Sequence, residues 1–259
     1  MIKQERAART REALVRAAAE VFAEEGFVTA SIAAISRRAG VSTGGLHFHF
    51  ASKAALGRAV EDQASEAVRR VTVGRRRSAA AGAEAVAGRP VNSLQLLVDS
   101  SHALMALLAG DVVVRAGFGL SAEAGHESGV DLRRQWRVWV EDVLRAAARE
   151  GALADGVAPQ DAARAVVAST VGLQVLGAVE REWIMPHTLT RFWTLMLPRL
   201  ASRATLGGLV AEGVGPLGGL GGEAVAGGAG GAGGAGGGVG GERGAGVGCG
   251  ELCRSVGSD

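Results

Sequence analysis

Apolar residues recur at helical spacing along most of the chain, and this periodicity limits the possible folds more than any other feature. One apolar stripe near the start of the chain consists of Leu14, Val15, Ala18, Val21 and Phe22. A second begins near residue 92 and contains Leu94, Leu97, Val98, Leu104, Leu107 and Leu108. Strand-like alternation appears only at residues 47–50, between helical flanks. The sequence therefore predicts an all-α protein.

Glycines and helix-capping residues divide the start of the chain into short helices. The first predicted helix covers Arg6 to Glu25 and stops at Gly26. Ser31 is placed to cap a second helix that ends at Gly40, and a third element starts at Val41 and Ser42. A fourth helix is expected from Lys53 to Val71, capped by Ser52. The result is a headpiece of three short helices followed by a longer one.

The rest of the chain predicts a helical bundle and then a tail. Residues 74–90 read as a loop, and further helices are expected from Asn92 onward, ending with Pro159 to Leu176 and Thr188 to Ala204. The domain boundaries that follow are 1–52, 53–205 and 206–259. The glycine-rich last segment is expected to be disordered, because it has too little apolar surface to offset its backbone entropy. Its Cys249 and Cys253 are expected to be reduced thiols.

Positive charge is concentrated in one part of the sequence, although the chain as a whole is nearly neutral. The net charge is only +2, yet no Asp or Glu occurs between Gly26 and Val60, an interval that contains Arg37, Arg38, Lys53 and Arg58. A local positive field of this kind favours a nucleic-acid partner. The N-terminus lacks the apolar core of a signal peptide and no uncharged run reaches membrane-span length, so a cytoplasmic protein without a membrane partner is expected.

Residues 31–50 fit a helix-turn-helix, a unit in which the second helix points its first residues at base edges in the major groove. Gly44 and Gly45 would let the backbone approach DNA closely. Leu46 and Phe50 are four residues apart, so they share one face and are expected to anchor the helix to the core. His47 and His49 then lie on other faces and are expected to reach phosphates, as is Lys53 at the start of the next helix.

The segment "GFVTASIAAISRRAGVSTGGLHFHFASKAAL" resembles the DNA-binding segment of tetracycline-repressor (TetR) type regulators. That family implies an all-helical homodimer with an N-terminal helix-turn-helix domain and a C-terminal helical bundle for ligand binding and dimerisation. The resemblance implies that Thr43, Gly44 and Gly45 face bases and that His47, His49 and Lys53 hold phosphates. The predicted DNA-binding set is completed by Ser31, Arg37 and Ser42. The chain departs from the pattern at His47, where tyrosine is usual, and at Ala30, where threonine is frequent.

The second part of the chain is similar to the γ-butyrolactone receptors within that family, through segments such as "DVVVRAGFGLS" and "VGLQVLG". In that subfamily a tryptophan of the seventh helix lies across a lipophilic signalling lactone. The local frame around it is met by Trp136, Val140, Val143, Leu144, Ala147 and Gly151. Trp136 is therefore the first predicted ligand contact and Trp139 the second. The tyrosine that is common three residues before the tryptophan is Arg133 here.

Two polar residues in an otherwise apolar helix, Thr170 and Gln174, are further candidates for ligand contact. A buried amide needs hydrogen-bond partners, which either a ligand or a neighbouring helix would supply. The two tryptophans also have an alternative role as core or dimer-face aromatics. The expected partners are double-stranded operator DNA, a small lipophilic effector and a second copy of the chain, with no cofactor or metal. Control of secondary metabolism is implied by the resemblance.

Two other functions are weighed against this one. A metal-dependent hydrolase would use His47 and His49 as an H-x-H ligand pair, but that pair is strongest at the end of a strand and the chain shows no βα alternation. A regulator that binds no lactone, or binds an antibiotic-like ligand, is the closer alternative, because of Arg133. The favoured prediction is a DNA-binding repressor, not an enzyme, released from a pseudo-palindromic operator by its ligand.

Overall fold

The fold was analysed in a computed structural model, which describes residues 2–80, 92–121, 123, 126, 127 and 129–214. The helices are α1 (Ile2–Glu25), α2 (Ile32–Ala39), α3 (Thr43–His49), α4 (Lys53–Ala80), α5 (Ser93–Gly110), α6 (Val112–Leu120), α7 (Leu132–Arg149), α8 (Pro159–Gly177), α9 (Pro186–Leu200) and α10 (Arg203–Leu206). A 3₁₀ helix, Arg181–Ile184, joins α8 to α9. The described residues contain no strand, only a single bridge between Leu153 and Ala201. The predicted all-α fold is confirmed.

The headpiece helices end where the sequence places caps. The Ser31 side chain accepts a hydrogen bond from the Ala34 amide at the start of α2, and Gly40 ends α2 in the left-handed region at φ 68°. Ser42 accepts from the Gly45 amide in the same way at the start of α3. These caps satisfy backbone groups that short helices otherwise leave free.

Helix α6 connects the headpiece to the bundle, because it packs against both α4 and α1. The contact with α4 is close: a Cβ atom on Gly117 would lie 2.6 Å from the Ala64 Cβ and 3.0 Å from a methyl carbon of Leu132. On the other side of the bundle α7 packs against α8 and α5. The core runs continuously from Leu14 and Leu46 in the headpiece to Trp136 and Trp193 in the bundle.

The segment between α6 and α7 contacts the headpiece through polar groups. The Phe27 amide donates to Glu123 Oε1 at 2.6 Å, and the Gly129 amide donates to Glu61 Oε2 at 3.0 Å. His126 Nε2 lies 3.2 Å from Glu61 Oε1, with both side chains fully buried. Position and orientation of the headpiece are therefore tied to the bundle by hydrogen bonds as well as by apolar contact.

Two boundaries differ from the prediction. Helix α4 continues to Ala80, inside the segment 74–90 that was expected to be a loop, because its arginines and alanines are strong helix formers. Residues 206–214 belong to the segment expected to be disordered, yet they lie along α5. There the Val210 amide donates to Gln95 Oε1 at 2.8 Å and the Val214 amide to Asp99 Oδ1 at 2.8 Å. The predicted pair Cys249 and Cys253 lies outside the described residues.

The close α4–α6 contact predicts the effect of a single methyl group. Gly117→Ala should lower the free energy of unfolding by about 1–3 kcal/mol, because the added carbon meets the rigid Ala64 and forces the helices apart. Gly119→Ala is the matched control on the same helix, since nothing lies within 4 Å of the added carbon. Urea denaturation of both variants checks the prediction, and equal stability of the two would refute it.

Candidate nucleic-acid interface and ligand site

Helix α3 has two different faces. Leu46 is fully buried and Phe50 nearly so, which confirms the predicted anchoring pair. Four residues on the opposite side are exposed, namely Thr43, Gly44, His47 and Phe48. The run His47 to Phe50 is thus the end of a short helix and its C-cap rather than a strand. A seven-residue helix held by two apolar side chains leaves its other face free for a partner.

The start of α3 exposes bare backbone. Nothing lies within 4 Å of a Cβ atom placed on Gly44, and Gly45 would meet only the Ser42 hydroxyl, at 3.3 Å. Both glycines have negative φ, so no backbone conformation requires them here. The fold therefore does not require glycine at positions 44 and 45, whereas close approach of another molecule to the backbone would. Ser42 and Ser31 are exposed at the same ends of their helices.

The two arginines of α2 differ in their partners. Arg38 forms ion pairs with α1, at 2.7 Å to Glu24 and 3.4 Å to Glu20. The hydrogen bond with Glu24 raises the pKa of Arg38, and the same bond lowers the pKa of Glu24. Arg37 is exposed and makes no hydrogen bond or ion pair with another described residue. Arg37 is therefore the α2 cation available to a phosphate.

Lys53 makes its contacts within the headpiece, and its predicted contact with phosphate stays a prediction. Its ammonium donates three hydrogen bonds to the turn between α1 and α2, at 2.7 Å to Phe27, 3.0 Å to Val28 and 2.9 Å to Ala30 carbonyl oxygens. It also lies 4.8 Å from the Phe27 ring centroid. An ammonium has three protons, so none is left for a direct bond to phosphate in this arrangement. In this conformation Lys53 holds the turn in place.

Phe48 is a surface residue that the sequence reasoning missed. Its side chain is 83% exposed, more than that of any other aromatic residue in the described part of the chain. The ring meets His49 edge-on, with centroids 5.2 Å apart. The signal in the sequence was its position four residues after Gly44, on the face opposite Leu46 and Phe50. Phenylalanine suits apolar contact with thymine methyl groups in the major groove.

The four predicted ligand residues come together between α7 and α8. The Trp136 indole N–H donates to the Thr170 hydroxyl at 2.8 Å, and Thr170 donates to the Val166 carbonyl oxygen at 2.9 Å. Trp139 stacks on Trp136, with ring centroids 5.1 Å apart and planes at 22°. Trp136 is 1% exposed, so in this conformation it is a core residue, which is the alternative role considered for it above.

Gln174 takes the second of its two predicted roles, a hydrogen bond to a neighbouring helix. Its Oε1 accepts from Arg133 Nη2 at 3.1 Å. Arg133–Gln174 and Trp136–Thr170 are therefore two successive polar links between α7 and α8. Contact of any of these residues with a ligand remains a prediction.

The histidine pair of α3 does not resemble a metal site. His47 and His49 lie on a helix, with His47 exposed. Within the described ranges no group of three or more His, Cys, Asp and Glu side chains is arranged to hold a metal ion. In the same ranges no single helix is long and apolar enough to cross a membrane; α5 and α6 reach that length only together, and they meet at a 98° bend.

Comparisons with known proteins agree with this geometry. Residues 14–60 match the profile of the bacterial regulatory proteins, tetR family. The A-factor receptor protein of Streptomyces griseus is 29% identical over 217 residues, which are 82% of this chain and 71% of that protein. The N-terminal segment of the chain is thus similar to that of tetR-family regulators. The matched residues begin within α1, include all of α2 and α3, and end within α4.

Solved structures extend the similarity to the bundle. A crystal structure of a γ-butyrolactone receptor, an ArpA-like protein, matches with a TM-score of 0.66 at 24% identity, over 80% of this chain and 96% of that one. CprB from Streptomyces coelicolor, in complex with its biological operator sequence, matches with a TM-score of 0.61 at 27% identity, over 78% and 93% of the two chains. The chain therefore has the predicted fold, an N-terminal helix-turn-helix segment followed by a helical bundle.

The hydrogen bonds of Lys53 predict a stabilising role. Lys53→Met keeps the aliphatic stem and removes three bonds, so it should lower the free energy of unfolding by about 1–3 kcal/mol. Arg37→Met is the control, because it removes an exposed cation of the same headpiece that has no partner among the described residues. Thermal unfolding measures both, and a Lys53→Met protein as stable as the control would contradict this role.

Proposed function

We propose that this protein is a transcriptional repressor whose helix α3 reads the major groove of operator DNA and which a small lipophilic ligand releases. The observation that carries the proposal is the division of α3 into a buried face, Leu46 and Phe50, and an exposed face of small, basic and aromatic residues. The operator complex of CprB supports it by similarity. On this basis the chain acts as a regulator rather than an enzyme.

The exposed residues divide into two kinds of DNA contact. We assign phosphate contacts to His47, Arg37 and the half-buried His49, and to the hydroxyl groups of Ser31 and Ser42. Thr43, Gly44 and Gly45 bring backbone and a small side chain to the base edges. Phe48 adds an apolar contact to thymine. Lys53 keeps the α1–α2 turn in the position that this contact set needs.

A homodimer supplies two recognition helices. Large apolar side chains are exposed along α8 and α9 and near the 3₁₀ helix between them: Val175, Leu176, Val179, Trp183 and Leu195. A monomeric protein rarely exposes so many large apolar side chains together. A dimer through this surface would place its two α3 helices in successive major grooves, with a spacing set by the helical repeat of DNA.

The ligand would act in the bundle, next to α7 and α8. One matched structure is named as a γ-butyrolactone receptor, which supports a small-molecule ligand for this chain as well. Trp136, Trp139, Thr170 and Gln174 are the proposed contact residues, and binding would require the links between α7 and α8 to rearrange. A ligand releases DNA only by the difference in its affinity for the two conformers. Control of secondary metabolism, in the cytoplasm, is the proposed setting.

The DNA contact of Phe48 is tested with modified operators. The operator is first selected from random duplexes, and each thymine is then replaced by uracil, which lacks only the methyl group. Replacement of thymine by uracil at one position in each half-site should weaken binding about fourfold, because burial of one methyl group contributes ~0.8 kcal/mol. Phe48→Ala should bind the parent operator more weakly and show no further loss at that position. Fluorescence anisotropy measures each affinity.

Either of two results would contradict this reading of α3. One is the recovery of no DNA sequence by the selection, which would remove the proposed function itself. The other is equal sensitivity of the wild type and Phe48→Ala to every uracil substitution, which would remove only the thymine contact. His47→Ala is the matched control, because loss of a phosphate contact should lower the affinity for every operator sequence by the same factor.

The dimer surface predicts a separate effect. Leu195→Glu places a charge on a side chain that is 75% exposed in the single chain and should convert the dimer to a monomer. Operator affinity should then fall about a hundredfold or more, because the two half-sites no longer bind together. Arg164→Glu, at an exposed polar position of α8, is the control. Light scattering gives the mass, and a dimeric Leu195→Glu protein with normal affinity would refute the assignment.

A further inference from the structure

The links between α7 and α8 are rich in hydrogen-bond donors and poor in acceptors. Arg133, Trp136 and Trp139 contribute N–H groups from α7, and the α8 groups that accept from them are the Gln174 amide oxygen and the Thr170 hydroxyl. Two of the donors, Arg133 Nε and Trp139 Nε1, are buried without a hydrogen-bond partner in the described part of the chain. Buried donors without acceptors are costly, so this region favours a molecule that brings acceptors.

The charge of Arg133 is also unbalanced. No carboxylate of a described residue forms an ion pair with it, although acids are present on the same helix. Asp131 accepts from the Arg134 amide at 2.9 Å as the N-cap of α7, and Glu141 pairs with Arg137 at 3.7 Å. Arg133 lies in the first turn of α7, where the helix dipole already favours negative charge. Both effects favour an anion at this position.

One edge of the Arg133 guanidinium is half occupied. Its Nη2 donates to Gln174, while the adjacent Nε has no acceptor. Arg69 shows the same edge when it is full, with Nε and Nη2 both 2.7 Å from the two carboxylate oxygens of Glu66. A carboxylate from another molecule would satisfy Arg133 in the same bidentate way. The Gln174 amide would then be free to donate to the same group.

From these contacts we infer that the effector of this protein is a small amphipathic carboxylic acid. Arg133 binds its carboxylate with Gln174 beside it, and the stacked rings of Trp136 and Trp139 contact its apolar part. The inference rests on the proposed function, since it names the class of the releasing ligand. A neutral lactone offers an acceptor but leaves the guanidinium charge unpaired, so the acid is the better match.

A matched pair of probes tests the class of ligand. γ-Decalactone and 4-hydroxydecanoate have the same carbon skeleton, and only the second is a carboxylate at neutral pH. The full-length wild type should bind the hydroxy acid at least about tenfold more tightly than the lactone, as expected for a charged hydrogen bond. Tryptophan fluorescence reports binding, and anisotropy of the selected operator reports release of DNA.

Variants of Arg133 test the assigned residue. Arg133→Gln keeps hydrogen-bonding capacity without charge and should reduce the preference for the acid to about one, while Arg133→Lys should keep part of it. Arg134→Gln, the exposed neighbour on the same turn, should keep the full preference. Operator affinity without probe should be unchanged in all three variants, which shows that they are folded.

Three results of the binding measurements would overturn the inference: equal or tighter binding of the lactone, no binding of either probe, or an Arg133→Gln protein that still prefers the acid. None of these touches operator binding by the free protein, so the DNA-binding part of the proposed function stands or fails separately. Tighter binding of the acid without any release of operator would also overturn it, because the acid would then not be an effector.

Discussion

The close packing of α6 on α4 is the contact on which the rest of the structure depends. Gly117 allows the two helices to approach until only the Ala64 methyl group separates them. Helix α6 also packs on α1, so one short helix joins the headpiece core to the bundle core. The buried Glu61 and His126 add polar contact at the same junction. The headpiece and the bundle are therefore packed together through α6.

Helix α3 depends on the surrounding headpiece for its stability. A helix of seven residues with two consecutive glycines is too short to form in isolation. Ser42 caps the start of α3, and Leu46 and Phe50 bury one of its faces. Lys53 holds the turn between α1 and α2 by hydrogen bonds. The glycines weaken the helix, and the buried anchors offset that cost. The residues on the exposed face of α3 are not needed to hold the helix, so they are free to suit a binding partner.

Much of the DNA-binding segment could be predicted from the sequence, because its signals are local. Helix caps at Ser31 and Ser42 and the spacing of Leu46 and Phe50 depend only on nearby residues. The role of Lys53 could not, since its three acceptors lie more than 20 residues away in a turn whose shape the sequence does not reveal. Resemblance to a family with a phosphate-binding lysine pointed to the more familiar role.

The bundle was harder to predict, because its polar pairs join distant segments. Trp136 and Thr170 are 34 residues apart, and nothing in either helix alone indicates that they are partners. The same holds for residues 206–214, where a glycine-rich composition indicated disorder but Gln95 and Asp99 supply specific hydrogen bonds. In the sequence, Arg133 stands out only because tyrosine is common at its position. Its half-filled guanidinium edge is visible only in the structure.

The central claim, that α3 lies in the major groove, is tested most directly by DNA cleavage from α3 itself. Cys249 and Cys253 are changed to serine, Phe48→Cys is introduced, and an iron–EDTA reagent is attached to it. Bound to the selected operator, this protein should cleave the DNA at two sites about one helical turn apart, about 34–36 Å. The same reagent on Arg164→Cys in the bundle should cleave at neither site. Absence of cleavage from position 48 in a protein that still binds the operator would show that another surface contacts DNA.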